Sequence, residues 1–165
     1  MAVFPIRVFP DPVLRAPTEP ITDIDAGVRQ LAQDMLDTMY EAPGVGLAAP
    51  QIGISRRIFV FDVGEGPHVV INSEIQETAD ETDVMEEGCL SIPGHYWDIT
   101  RPVHVTVRGL DLNGDPVEHA GGELLGRVLQ HESDHLDGLL IIDRLPKRAR
   151  KQALRDLRDE AFRSP

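Results

Sequence analysis

The sequence predicts a mixed fold in which α-helices and antiparallel β-hairpins share one hydrophobic core. Apolar residues recur with a 3.6-residue period over 25–40, as in a helix that buries one face. Turn sequences at 64–67 and 111–115 each separate two strand-like stretches, which indicates β-hairpins. The apolar-periodic segment 123–137 predicts a helix that runs through the core. The length of 165 residues suits a single domain, residues 1–165.

The N-terminal third predicts an irregular chain followed by one helix. Five prolines between Met1 and Pro20 exclude a long helix there. Asp25 can cap a helix that continues to about Tyr40. The apolar stripe of this helix comprises Val28, Leu31, Met35, Leu36 and Met39. The following segment 44–53 is rich in glycine and alanine and predicts a packed loop, whose backbone a ligand could approach closely.

Strands and turns alternate through the middle of the chain. Residues 57–63 and 69–71 predict one hairpin, and residues 103–108 and 116–119 predict a second one. The strongly acidic segment 74–87 lies between the two hairpins and predicts a weak strand or a loop. The sequence shows no internal repeat or low-complexity segment that would suggest another architecture.

The C-terminal segment predicts a buried strand at 139–142 and a helix from Pro146 to about Phe162. The residues of this helix predicted to face inward are Ala149, Ala153, Leu154, Leu157 and Ala161. The last twenty residues hold seven basic and three acidic side chains, a net charge of +4. This helix is therefore a candidate docking element for ribosomal RNA or an acidic partner, or else a solvated helix face without a partner.

Composition excludes several functional classes. The net charge of −12 at pH 7 argues against a general DNA- or RNA-binding surface. The chain has no run of eighteen apolar residues and no apolar signal-peptide core, so we expect neither a membrane span nor export. A single cysteine excludes an internal disulfide and agrees with a reducing compartment. We therefore expect a cytoplasmic protein.

The segment 130–136 contains the pattern H-E-x-x-H. Residues four apart lie on one face of a helix, so His131 and His135 can direct two imidazoles at one point, and Glu132 can reach a water there. Catalytic metal sites usually have three protein ligands and one open position. A lone cysteine is more often a small buried apolar residue. Cys89 is nevertheless a candidate third ligand, because a thiolate binds Zn or Fe(II) well.

Three motifs together resemble those of bacterial peptide deformylases. They are Gly44-x-Gly46-Leu47-Ala48-Ala49-x-Gln51, Glu87-Gly88-Cys89-Leu90-Ser91 and Gln130-His131-Glu132-x-Asp134-His135-Leu136-x-Gly138, in the order and at separations similar to those of the family. Similarity at 11–15 and 25–40 extends the resemblance over nearly the whole chain. The resemblance implies an α+β fold with antiparallel β-sheets packed around a central metal-binding H-E-x-x-H helix, an N-terminal helix and a C-terminal helix.

The resemblance also implies a reaction and a cofactor. Peptide deformylases remove the N-formyl group from formyl-methionine at the start of newly synthesised proteins and release formate. Cys89, His131 and His135 would bind one divalent metal ion, Fe(II) in the cell, with Zn, Ni or Co as alternatives in a purified sample. Glu132 would take a proton from the attacking water and pass it to the leaving amine.

The remaining site residues follow from the same resemblance. The side-chain amide of Gln51 and the backbone N–H of Leu90 would donate hydrogen bonds to the oxyanion. The backbone around Gly46 would bind the substrate peptide as an added strand. The residues near the methionine pocket would be Val45, Glu87, Leu124 and Val128. Two positions depart from the family: Gly126 replaces a common alanine, and Tyr96 replaces an arginine that touches the peptide in many relatives.

Two other interpretations remain open on the sequence. A zinc endopeptidase also uses H-E-x-x-H, and its extended pattern matches at Gly138 but fails at Ile141, where a third histidine is required. Such an enzyme would need a downstream carboxylate ligand, for which Glu160 is available. The second alternative is a non-enzymatic, metal-stabilised protein that docks on the ribosome through its basic tail. Its metal would be fully coordinated by protein, and Glu132 beside an open position argues against this.

Overall fold

Helices and antiparallel sheets alternate along the computed structural model, which describes residues 2–163. The helices within this range are α1 (Ala26–Glu41), α2 (Glu123–Leu136) and α3 (Lys147–Arg163). The strands within it are β1 (Gly46–Ala48), β2 (Ile58–Phe61), β3 (His68–Thr78), β4 (Thr82–Cys89), β5 (Ile92–Pro102), β6 (His104–Leu110) and β7 (Pro116–Gly122). None of these helices combines the length and apolar character needed to cross a membrane.

The strands form two separate antiparallel sheets. One sheet has five strands in the order β1-β2-β3-β6-β7, and β1 lies at its edge. The other is the two-stranded β4-β5 hairpin, in which Glu87 pairs with Trp97 and Gly88 with Tyr96. Both predicted hairpins therefore belong to the larger sheet, and the predicted α+β class with antiparallel sheets is confirmed.

Helix α1 follows from its cap and its apolar stripe. The Asp25 carboxylate accepts a hydrogen bond of 2.9 Å from the backbone N–H of Val28, which satisfies a free donor at the helix start. Most of the predicted stripe is fully buried, and Leu36 is half-buried. The stripe packs with Ile58, Val60 and Ile71 on one face of the five-stranded sheet.

Helix α2 lies between the two sheets and differs in character on its two sides. Its apolar residues Val128, Leu129 and Leu136 pack with Phe59 and other residues of the five-stranded sheet. Its other side makes polar contacts with the β4-β5 hairpin, for example from the Gln130 side-chain amide to a β5 backbone carbonyl. Any site formed by residues of both the hairpin and α2 therefore lies at this polar boundary.

Two local predictions are wrong or incomplete. Residues 139–142 are not a strand, because the chain turns into a 3-10 helix, Ile141–Arg144, in which the Asp143 carboxylate accepts from the backbone N–H of Leu140 at 2.8 Å. Ile141 and Ile142 are still buried, as an apolar run requires. The segment 44–53 contains β1 and a short 3-10 helix rather than a loop alone.

The acidic segment and the last helix also differ from prediction. Residues 74–87 form parts of two well-paired strands, β3 and β4, because all of their acidic side chains except the buried Glu87 are exposed to solvent. In α3 only Ala153 is buried, with Leu154 and Leu157 half-buried. Ala149 and Ala161 are exposed, because α3 packs on the 3-10 helix through a narrow contact rather than a whole face.

Gly138 offers a test of how the loop after α2 is closed. It has φ +76°, and a Cβ there would meet the backbone carbonyl of Arg15, so Gly138→Ala adds a steric overlap to left-handed strain. We expect a loss of about 3 kcal/mol in the free energy of unfolding, measured by urea denaturation. Gly64→Ala is the matched control, because Gly64 has φ +107° with open space around its Cβ position, and should lose about 1 kcal/mol. Equal losses would remove the overlap from the explanation.

Candidate metal centre and active site

Three donor atoms converge where the β4-β5 hairpin meets α2. Cys89 ends β4, and His131 and His135 lie one turn apart on α2. Nε2 of His135 is 3.2 Å from Nε2 of His131 and 3.4 Å from Sγ of Cys89. All three donor atoms lie within 4.8 Å of one another, and this is the group of possible metal ligands found in residues 2–163.

The donor set fits a divalent metal ion. In a tetrahedral site with the usual metal–nitrogen and metal–sulfur bond lengths, two ligand atoms lie about 3.3–3.6 Å apart. The separations of 3.2 and 3.4 Å match that spacing. Two imidazoles and a thiolate also suit Zn, Fe(II), Co and Ni better than Mg or Ca, which prefer oxygen ligands.

The electrostatics favour a positive charge at the same point. Burial would lower the pKa of His131, but contacts with Cys89 and Glu87 raise it well above its ordinary value. Burial, together with the positive charges of His131 and Arg101, lowers the pKa of His135 well below its ordinary value. The site thus favours a positive charge near His131 and keeps His135 neutral. A metal ion binds only neutral imidazoles, so a bound cation would take the place of the proton on His131.

The Glu87 carboxylate orients His131. Oε1 of Glu87 lies 3.2 Å from Nδ1 of His131, which places the ring proton on Nδ1 and leaves Nε2 to face the other donors. Two arginines hold Glu87: Nε and Nη2 of Arg101 donate at 2.7 and 3.0 Å, and Nη1 of Arg127 donates at 2.9 Å. Burial would raise the pKa of Glu87, but hydrogen bonds from His131, Arg101 and Arg127 lower it to about 2. The carboxylate is therefore ionised at every working pH.

A second buried carboxylate extends this network away from the metal ligands. Asp134 is 5% exposed and accepts a hydrogen bond of 3.0 Å from Nη1 of Arg101. Nε and Nη2 of Arg144 donate to the same carboxylate at 3.0 and 2.5 Å. Arg101 is itself only 3% exposed. Its guanidinium group is shared between Glu87 and Asp134, so it compensates the charges of both buried carboxylates.

Glu132 has the opposite environment to Glu87. It is 4% exposed, and its Oε2 has no hydrogen-bond partner among residues 2–163. Burial raises the pKa of Glu132 to about 7, although the charges of His131 and Arg101 oppose that shift. Gly46 lies against this carboxylate so closely that a Cβ on Gly46 would be 2.6 Å from Oε1. The small residue at position 46 thus makes room for a buried carboxylate with a pKa near neutrality.

Gln51 is fixed with its amide nitrogen toward the sulfur of Cys89. Its side-chain oxygen accepts a hydrogen bond of 3.0 Å from the backbone N–H of Ala48. That contact orients the amide so that Nε2 lies 3.2 Å from Oγ of Ser91 and 3.8 Å from Sγ of Cys89. Leu90 occupies the turn between β4 and β5, directly after Cys89, and its side chain packs on Gly44. The structure therefore brings both predicted oxyanion donors to the neighbourhood of the three metal-ligand candidates.

A cleft of about 660 Å³ opens onto this centre. Its lining includes every predicted site residue except His135, namely Val45, Gly46, Gln51, Glu87, Cys89, Leu90, Leu124, Val128, His131 and Glu132. His135 is 1% exposed and lies behind the cleft wall. Val45, Leu124 and Tyr96 are partly exposed apolar side chains of the cleft lining. Glu87 faces the cleft but directs both carboxylate oxygens to His131 and the arginines rather than to a free pocket.

Sequence reasoning assigned no role to the arginines of this network. Arg101 and Arg127 are buried, and their partners lie 14 to 44 residues away along the chain. No local spacing signals such a contact. The one available signal was the position of Arg127 on the α2 segment next to apolar residues, where an unpaired charge would be costly.

Comparisons with known proteins agree with this geometry. The family model for polypeptide deformylase matches residues 3–151. The chain belongs to that family. A peptide deformylase of Acidothermus cellulolyticus is 48% identical over 159 residues, covering 96% of this chain and 88% of the relative. The crystal structure of peptide deformylase from Thermus thermophilus is 44% identical, with a TM-score of 0.91 over 98% of this chain and 96% of that one. A peptide deformylase of Thermotoga maritima is 49% identical, with a TM-score of 0.86 over 88% of this chain and 99% of that one.

The match does not favour the zinc-endopeptidase interpretation, and neither does the position of Glu160. Oε2 of Glu160 lies 2.5 Å from Nε2 of His95 on the hairpin. Glu160 is not a member of the donor group of Cys89, His131 and His135 found in the described residues. A third metal ligand from the terminal helix would require that helix to move.

Paired substitutions test which residue completes the metal site. We expect Cys89→Ser to lose most of its bound metal on dialysis, because a serine hydroxyl is a far weaker ligand than a thiolate. Glu160→Ala should retain metal at the wild-type stoichiometry, as measured by elemental analysis of the folded proteins. The reverse pattern, with metal kept in Cys89→Ser and lost in Glu160→Ala, would restore the endopeptidase interpretation.

Proposed function

We propose that this chain hydrolyses the N-formyl group from formyl-methionine at the start of newly synthesised proteins and releases formate. The observation that carries the proposal is the unpartnered, buried carboxylate of Glu132 beside three convergent metal-ligand candidates in one cleft. Membership in the polypeptide deformylase family supports the same reaction. Residues 1–165 would act as one catalytic domain.

Cys89, His131 and His135 would hold one divalent ion, for which we propose Fe(II) in the cell, with Zn, Ni or Co as substitutes in a purified sample. When bound, such an ion acts as a Lewis acid that polarises a carbonyl oxygen and lowers the pKa of water. Glu87 contributes by holding the His131 ring in the orientation that presents Nε2.

Glu132 is proposed to move the proton. A base works best when its pKa is near the operating pH, and burial raises the pKa of Glu132 to about 7. Its free Oε2 would accept a proton from the attacking water and then pass it to the leaving amine. The lack of a competing hydrogen-bond partner among residues 2–163 keeps this oxygen available for both transfers.

Gln51 and Leu90 are proposed to bind the oxyanion that forms on the formyl oxygen. The contact with the backbone N–H of Ala48 holds the Gln51 amide in place before the reaction, so no reorganisation is needed. The backbone N–H of Leu90 would be the second donor. A single preorganised donor of this kind typically contributes about 3 kcal/mol to transition-state stabilisation.

The substrate peptide is proposed to enter along β1. This strand is at the edge of its sheet, and Gly46 lines the cleft, so a peptide backbone could add as a further strand. The methionine side chain would lie against Val45, Leu124 and Val128, with the Glu87 side chain at the base of the pocket. Tyr96 presents an exposed ring at the cleft where an arginine would offer charge, so we expect its contacts with the peptide to be apolar.

Formate release tests the proposed reaction and the role of Glu132 together. Anaerobically purified protein loaded with Fe(II) should release formate from a formyl-Met tripeptide and no acetate from the acetylated peptide. We expect Glu132→Ala to keep its metal while turnover falls by about 10²–10⁴-fold, because the proton acceptor is lost. Activity retained in this variant would remove its assigned role, and no formate release from fully metallated wild type would refute the function.

We propose that α3 docks on the ribosome and that the protein works in the cytoplasm, where formyl-methionine peptides emerge. The helix exposes most of its basic residues, and Arg148 and Lys151 make no ion pair with the described part of the chain. Its narrow contact with the body of the protein leaves most of its surface available to a partner.

Charge reversal in α3 tests the docking. The double variant Arg148→Glu, Lys151→Glu should co-sediment with ribosomes more weakly than wild type, and the slope of log affinity against log salt should fall by about one to two. Arg108→Glu is the control, because Arg108 is an exposed arginine on β6, away from α3. Identical binding by wild type and the double variant would show that α3 is a solvated face.

A further inference from the structure

The proposed metal site is divided between two elements that no strand pairing joins. Cys89 and Glu87 belong to the β4-β5 hairpin, whereas His131 and His135 belong to α2. The hairpin is a separate sheet, so backbone pairing with the five-stranded sheet does not fix its distance from α2. Side chains at the boundary must therefore set the separation between the sulfur and the two imidazoles.

Arg127 spans this boundary with four hydrogen bonds. From α2, its Nη1 donates to Oε2 of Glu87 at 2.9 Å and to the backbone carbonyl of Ile99 on β5 at 2.7 Å. Its Nη2 donates to the backbone carbonyl of Asp83 at 3.0 Å and to the Asp83 carboxylate at 2.6 Å. Arg127 is 6% exposed, so these bonds form in a region from which water is largely excluded.

We propose that Arg127 is a positioning residue that sets the spacing between Cys89 and the two metal-binding histidines. The inference rests on the proposed metal site. One planar guanidinium binds both strands of the hairpin, and one of its partners, Glu87, also orients His131. The same side chain thus fixes the sulfur-bearing strand and one imidazole relative to α2.

Arg101 is a weaker subject for a test, although it also binds Glu87. Arg101 compensates two buried carboxylates, Glu87 and Asp134, and its removal would leave both without their shared cation. Removal of Arg127 leaves Glu87 paired with Arg101, and the other partner, Asp83, is half-exposed and can be solvated. Arg127 can therefore be replaced with less danger to the fold than Arg101.

We expect the planar geometry of the Arg127 guanidinium group, rather than its charge, to set the spacing of the metal site. Lysine keeps the positive charge but lacks the planar fork that reaches two strands at once. Arg127→Lys should therefore resemble Arg127→Met in its effect on the metal site. A purely electrostatic role would instead be largely restored by lysine.

Cobalt provides a probe that is independent of the reaction. Wild type, Arg127→Met and Arg127→Lys would be loaded with Co(II), and release into excess chelator would be followed by the sulfur-to-cobalt absorption band. Loss of a group that orients metal ligands commonly costs about 10- to 100-fold in metal affinity, so we expect faster release by about that factor in both variants. The visible cobalt bands should also change shape, and kcat with formyl-Met peptide should fall more than KM rises.

Two further variants keep the test decisive. Arg108→Met removes an exposed ion pair of 2.6 Å with Glu118, far from the boundary, and should release cobalt at the wild-type rate. Asp83→Asn weakens the contact between Arg127 and the Asp83 carboxylate, which is half-exposed, so we expect this variant to fold. It should release cobalt a few-fold faster than wild type. It therefore tests the positioning role even if the Arg127 variants do not fold.

The possible results separate the inference from the functions on which it rests. Folded Arg127 variants, or Asp83→Asn, that release cobalt at the wild-type rate with unchanged bands would overturn the positioning role. Wild type that binds no cobalt would overturn the metal site and the role of Arg127 with it. Wild type that binds cobalt but releases no formate would contradict the proposed reaction and leave the release comparison as a valid test of Arg127.

Discussion

The buried carboxylate of Glu87 is the group on which the rest of the site depends. It contacts His131 and accepts hydrogen bonds from Arg101 and Arg127, which reach it from different elements. A buried charge is tolerated only where several donors replace the lost water. Because those donors come from α2 and β5, the requirement to satisfy one carboxylate also fixes the hairpin against the helix that carries the histidines.

Two carboxylates that lie close to His131 are driven to opposite states by their surroundings. Glu87 has three cationic or donor partners, and its pKa is lowered to about 2. Burial raises the pKa of Glu132 to about 7, and its Oε2 is unpartnered within residues 2–163. With pKa values so far apart, one carboxylate stays ionised near neutral pH, whereas the other can gain and lose a proton. The first orients His131, a candidate metal ligand, and the second suits the proposed role of base.

The sequence predicted those features whose determinants lie close together in the chain. Asp25 and the 3.6-residue stripe define α1, and two histidines four residues apart define one face of α2. Strand β5 was missed because Pro93, Gly94 and mixed polar residues conceal it, and its pairing with β4 supplies the regularity that its own sequence lacks. The run 139–142 is apolar enough for a strand, but the carboxylate of Asp143 caps a 3-10 turn instead. The H-E-x-x-H pattern and the lone cysteine supplied Glu132 and the candidate metal ligands, and the resemblance supplied the remaining site residues. The arginine contacts depend on the folded chain alone.

The polar contacts between the hairpin and α2 are better explained by the distances that they fix than by a contribution to the stability of the fold. Buried ion pairs seldom stabilise a fold more than well-packed apolar residues of similar volume would. Apolar packing, however, is not directional and tolerates small shifts between surfaces, whereas a guanidinium fork with four hydrogen bonds holds two strands at defined distances. A metal site requires donor atoms placed within a few tenths of an ångström. Polar contacts therefore suit the boundary across which the donor atoms of the proposed metal site meet, whereas α2 packs through apolar residues on its other side.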